Sequence, residues 1–138
     1  MKSYTDLEQS KKLAGILPLE SADMCYSNDG TAIKIDANPY TVRYSMWKDC
    51  VSEIIPCWSL EALLEAMPKS IPKYMESERC QKTFHLNLFR SYYHCCSYSF
   101  APSISDDDGS NTLYCVGRDN WVDACYELVL KLHELNLL

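Results

Sequence analysis

Phe84-His85-Leu86-Asn87-Leu88-Phe89, followed after Arg90-Ser91 by Tyr92-Tyr93-His94-Cys95-Cys96-Ser97-Tyr98-Ser99-Phe100, is the stretch that decides the fold. Phe84, Leu86 and Leu88 alternate with His85, Asn87 and Phe89, which is the period of two of a strand with one buried face. Arg90-Ser91 is short enough to be a hairpin connection. In the second segment Tyr92, His94, Cys96, Tyr98 and Phe100 share one face, and Tyr93, Cys95, Ser97 and Ser99 share the other. Pro102 ends it, an acidic loop from Ser105 to Asn111 follows, and Thr112 to Val116 reads as a third strand.

Downstream, Trp121, Ala124, Cys125, Leu128, Leu132 and Leu135 recur at helical spacing behind Asp119 or Asn120 as N-cap, with Asn136 as the stop. Upstream, Ser59 caps a short helix to Met67, striped by Leu60, Leu63, Leu64 and Met67 and stopped by Pro68. Residues 69–81 are polar and interrupted by Pro72, and read as a loop. Before Pro56, Thr31 to Ile35 and Thr41 to Met46 alternate around Asp36-Ala37-Asn38-Pro39, the pattern of a β-hairpin. Residues 5–17 suit an N-terminal helix capped by Thr5 or Asp6 and ended by Pro18. The sum is an α+β fold: an antiparallel sheet of at least three strands with the C-terminal helix packed on one face, plus an N-terminal helix and hairpin. No Pro/Gly/Ser linker interrupts it, so residues 1–138 read as a single α+β domain.

Composition narrows the class. Apolar residues make up 47% of the 138 and charged residues 23%, enough apolar surface to offset chain entropy and exclude a disordered tail. Thirteen basic against nineteen acidic side chains give a net charge of −6, and from residue 101 onward seven acids face Arg118 and Lys131, a local balance of −5. Nucleic-acid binding needs concentrated positive charge, so nucleic acid is disfavoured as a partner. No run approaches the roughly 20 apolar residues that span a bilayer. Leu13 to Leu17 imitates a secretory core but is cut by Pro18, with Asp6 and Glu8 where a signal would be basic, so a cytoplasmic protein without membrane contact is expected.

Eight cysteines stand at 25, 50, 57, 80, 95, 96, 115 and 125, with no C-x-x-C pair, which favours reduced and mostly buried thiols over a disulfide scaffold or a zinc ribbon. His94 and Cys96 share a strand face and His85 belongs to the neighbouring strand, so a three-ligand metal set, or a Cys/His nucleophile pair, is geometrically conceivable. No orienting Asp or Asn accompanies it. Asp106-Asp107-Asp108-Gly109 evokes calcium, but Ile104 stands five residues before Gly109 and no Glu follows at the required distance, so an Asp-Gly turn is the better account. Only four glycines occur, and neither a phosphate-binding loop nor G-x-S-x-G nor H-E-x-x-H is present. No cofactor is expected, and no catalytic residue is assigned.

Ten tyrosines and three tryptophans supply aromatic anchors instead. Phe89, Tyr93 and Tyr98 are the candidate interaction surface, on whichever sheet face the last helix leaves open, with a protein partner or a second copy of the chain as the expected occupant. The competing expectation covers these rings with the 31–46 hairpin.

The order helix, three strands, helix resembles double-stranded-RNA-binding domains, and its β-β-β-α part resembles HicB-like antitoxin domains. The RNA-binding version carries lysines at the start of its last helix, where this chain has Asp119-Asn120-Trp121-Val122-Asp123, so the likeness extends to topology and not to RNA binding. Thr5 to Leu13 with Ser21-Ala22-Asp23-Met24, Ile54 to Leu63 with Met67-Pro68-Lys69, and Asp123 to Leu128 through Leu135-Asn136-Leu137-Leu138 are similar to a family of small uncharacterised proteins of gut anaerobic bacteria and their prophages or other mobile elements. That resemblance implies a genomic setting and no catalytic residues. A non-enzymatic interaction or regulatory module is therefore expected, against two alternatives: a small metal or thiol enzyme using His85, His94, Cys95 or Cys96, and a nucleic-acid-binding regulator.

Overall fold

Asn120 marks where the last strand gives way to the last helix. Its side-chain oxygen accepts the backbone N–H of Asp123 at 2.9 Å, and its amide donates to the Asp123 carboxylate at 2.8 Å. The computed structural model describes residues 1–26, 32–34, 55–76, 78–100 and 112–138, with backbone alone at 33 and 34. The chain falls into two compact units, Met1–Ala66 and Met67–Leu138.

In the first unit, α1 (Leu7–Leu13) begins with a reciprocal capping box. Asp6 accepts the Gln9 N–H at 2.9 Å, and the Gln9 side chain accepts the Asp6 N–H at 3.1 Å. A 3-10 turn follows Pro18 at Leu19–Ser21. Strands β1 (Met24–Tyr26), β2 (Ala32–Lys34) and β3 (Ile55–Cys57) form a three-stranded antiparallel sheet with β1 in the middle. The expected hairpin thus keeps its first strand in β2, but β2 pairs with β1; the 41–46 strand and the acidic loop at 105–111 lie outside the described residues. Helix α2 (Leu60–Ala66) is capped by Ser59, whose hydroxyl accepts the Ala62 N–H at 3.2 Å and donates to Asp23. Buried polar groups tie the N-terminus to β3: the Thr5 hydroxyl contacts that of Ser10 at 2.8 Å and accepts the Trp58 N–H at 3.1 Å. Trp58, fully buried, donates its indole N–H to Ser21 at 2.9 Å, which removes the cost of an unpaired polar atom in the core.

The second unit is an antiparallel meander of four strands in sequence order, β4 (Ser70–Met75), β5 (Cys80–Arg90), β6 (His94–Ser99) and β7 (Thr112–Arg118), closed by α3 (Trp121–Glu134). Strand β4 corrects the loop expected at 69–81. Pro72 has no ladder donor to give, which an edge strand tolerates because its outer side is unpaired. The β5–β6 turn is also one residue longer than expected: Ser91, Tyr92 and Tyr93 form it, and Arg90 pairs with His94. Helix α3 packs on β6 and β7 with Val122, Ala124, Cys125, Leu128, Val129 and Leu132 buried; Leu135, expected in that stripe, is exposed. The helix ends at Asn136, which takes a left-handed φ of 57°, while the Leu137 N–H reaches back to Leu132 at 2.9 Å.

Candidate functional site

Register assigns each side chain to a face, because directly paired residues point the same way. Arg90, His94 and Arg118 form one rung, Leu88, Cys96 and Val116 the next on that face, and Leu86, Tyr98 and Tyr114 the third. Helix α3 covers this face. Trp121 stands edge-on to the His94 ring at 4.6 Å, Glu127 lies 3.8 Å from Arg118, and Lys131 sits 5.4 Å over the Tyr114 ring. The opposite face carries the rungs Phe89–Cys95–Gly117 and Asn87–Ser97–Cys115, with His85 farther along β5 and Tyr74 at the edge.

The three aromatic candidates are therefore divided. Phe89 (39% exposed) and Tyr93 (55% exposed) stand on the face away from α3, and Tyr92 at the turn between them is fully exposed. Tyr98 belongs to the helix-covered side and has no exposed surface, which removes it from any accessible platform. Its hydroxyl donates to the Pro68 carbonyl at 2.7 Å, and burial, with Cys96 and Cys125 nearby, raises its pKa above the ordinary tyrosine range. Most of the hairpin at 31–46 that was the competing cover lies outside the described residues.

The metal candidates are divided too. His94 and Cys96 lie under α3, whereas His85 is exposed on the other face, so the three cannot converge on one ion. Among the described residues no group of three His, Cys, Asp or Glu side chains could hold a metal. The cause is the turn. A two-residue connection at Arg90-Ser91 would set His85 opposite Cys96; the turn at Ser91, Tyr92 and Tyr93 sets it opposite Ser99, a shift of three residues, and an odd shift turns β5 over relative to β6.

The thiols are placed for packing more than for attack. Cys96 is fully buried and its pKa is pushed up, first by the hydrogen bond it shares with Cys125 and then by burial. Burial likewise raises Cys25, Cys57 and Cys115. A thiol held protonated is a poor nucleophile at neutral pH. Sequence reasoning missed Cys115 and Cys125 as partners of Cys95 and Cys96; only register and helix docking bring them together.

In the first unit, an open cleft of about 360 Å³ is lined by Ser3, Tyr4, Met24, Ser59, Leu60 and Glu61. Glu61 is the carboxylate in its wall, and the Ser59 hydroxyl is already committed to Asp23 and the cap of α2.

A scan against protein-family models finds no match to the chain, and neither the curated proteins nor the solved structures yield one.

Proposed function

We propose that the chain is a non-enzymatic interaction module whose contact surface is the sheet face turned away from α3, centred on Phe89 and Tyr93. The observation that carries this is the exposure of Phe89, Tyr92 and Tyr93 together at one end of the sheet. Aromatic rings are large, rigid and inexpensive to order, so an exposed group of them is a source of binding energy toward a protein surface. The basic rung of Arg90, His94 and Arg118 does not extend this patch into a phosphate-binding surface, since it faces α3 and Arg118 lies beside Glu127. The resemblance to mobile-element proteins supports a regulatory role in a bacterial cytoplasm. No helix among the described residues is long and apolar enough to cross a membrane.

Replacing Tyr93 by the photoreactive residue benzoylphenylalanine keeps an aromatic ring at the centre of the patch. Irradiation in cells should give one protein adduct of defined mass, from a partner or a second copy, and Phe89→Ala should abolish it. The same residue at Glu134, at the far end of α3, should give none. Equal adducts at both positions, or none at 93, would overturn the proposal.

A further inference from the structure

Strand β6 carries Cys95 and Cys96 in succession, so their thiols leave the sheet on opposite sides. Each meets a second cysteine. Cys96 meets Cys125 under α3, where both side chains are wholly buried. On the other face Cys95 pairs across the ladder with Gly117 and Ser97 pairs with Cys115, which places Cys95 and Cys115 diagonally on the same side. The Cys95 thiol donates to the Tyr93 carbonyl at 3.6 Å and points along the face that also carries Cys115. Gly117 lets the Cys95 sulfur pack close to the β7 backbone: a Cβ there would lie 3.3 Å from it. Cys115 is exposed and Cys95 is only 6% exposed, so one thiol of the pair is open to solvent and the other is sheltered behind it.

We propose that Cys95 and Cys115 form a dithiol modification site that closes to a disulfide by exchange with a low-molecular-weight disulfide of the glutathione class. Cys115 loses its proton only in a small fraction of molecules at neutral pH, so the step is slow and needs excess reagent. That thiolate attacks one sulfur of the reagent and expels the other as a thiolate, which takes up a proton, leaving a mixed disulfide on Cys115. The Cys95 thiolate then attacks the Cys115 sulfur, and the second small thiol leaves. One small disulfide is reduced to two thiols, the two cysteines lose two hydrogens, and one protein S–S bond forms. Diagonal positions in a flat ladder lie about 7–8 Å apart. A disulfide spans at most about 6.8 Å between Cα atoms, so closure draws β6 and β7 together. Exposed bonds closed under such strain are the ones small thiols readily reopen, which makes the modification reversible. The Cys96–Cys125 pair, with no exposed surface, is an internal comparison: the same reagent reaches it only after unfolding. This inference is independent of the proposed contact surface, although both lie on the same face.

The test is to incubate the folded full-length chain with excess oxidised glutathione, quench in acid and measure intact mass. The variants Cys115→Ser and Cys95→Ser are treated identically. Cys80, which is exposed, takes an adduct in every variant and cancels in the comparison. Each chain is compared with its own untreated mass: beyond the adducts common to all, the wild type should lose two hydrogens where Cys115→Ser does not, recover them with dithiothreitol, and show no change in this behaviour when Cys125→Ala is added. Cys95→Ser should instead retain a glutathione adduct on Cys115. Closure that persists in Cys115→Ser, a wild type that stops at the adduct, or no reaction at Cys115 would each overturn the proposal. Thermal denaturation of each variant separates a lost site from a lost fold.

Discussion

Tyr93 stands directly against Gly117: a Cβ built at 117 would lie 3.2 Å from the Tyr93 Cβ and 3.6 Å from its Cγ. The turn holds Tyr93 there, since its carbonyl accepts the Ser91 N–H at 3.0 Å. The ring that the contact surface depends on is thus positioned by the absence of a side chain on the neighbouring strand.

Gly117→Ala is expected to destabilise the protein. The atom it meets is a Cβ fixed by backbone, not the end of a flexible chain, so overpacking by about 1–3 kcal/mol outweighs the strand preference of alanine over glycine. Urea denaturation should show a lower midpoint, and any Phe89-dependent adduct at position 93 should weaken with it.

Leu128→Ala should cost about 2–5 kcal/mol, because Leu128 is fully buried between α3 and the sheet and its removal leaves a cavity. An unchanged denaturation midpoint would mean that α3 is not docked.

How much of this was legible in sequence depends on period and register. The buried stripe of α3 repeats every three or four residues for 14 residues, and Ala124, Cys125, Leu128 and Leu132 are legible in it; Val122 and Val129, also fully buried, widen it beyond the expected residues, and Leu135 lies past the last packed turn. Strand β4 was not legible, because Ile71 is its one buried residue and Pro72 looks like a breaker until the strand is known to be an edge. The alternation of β5 and β6 was read directly, but the match between their faces was not. Whether Phe89 lies opposite Cys95 or Tyr92 hangs on the length and position of the turn, and Arg90-Ser91 and Ser91-Tyr92-Tyr93 are equally plausible turns in sequence. That register divided His85 from His94 and Cys96, whereas alternation along β6 alone separates Tyr93 from Tyr98.

Alkali should weaken the fold in part through Tyr26. Its hydroxyl donates to the Thr5 carbonyl at 2.7 Å, and burial, with Cys57 and Tyr4 nearby, raises its pKa from 10.0 to about 12. The folded chain then holds the proton more tightly than the unfolded one, so the stabilisation is complete below pH 10 and is lost as pH rises toward 12. Tyr26→Phe should remove the hydrogen bond, costing about 0.5–1.5 kcal/mol near neutrality, and flatten this part of the alkaline decline. A decline of equal steepness in both proteins would contradict the assignment.

Single-stranded RNA or DNA of random sequence should not bind at physiological salt. Phe89, Asn87, His85, Ser97 and Cys115 offer no fixed cation on the face that displays Tyr93, and stacking without phosphate neutralisation gives little affinity. Fluorescence polarisation with a labelled oligonucleotide checks this; tight binding that falls steeply with salt would sink the electrostatic argument.

The most direct measurement is calorimetry of the partner caught at position 93 against the wild type, Phe89→Ala and Tyr93→Ala, or the dimer dissociation constant by sedimentation if that partner is a second copy. Rings that anchor an interface cost about 2 kcal/mol or more when truncated, roughly 30-fold in affinity. That loss is predicted for both variants, with far-UV circular dichroism unchanged. Affinities equal to the wild type in both folded variants would contradict the assignment of this face.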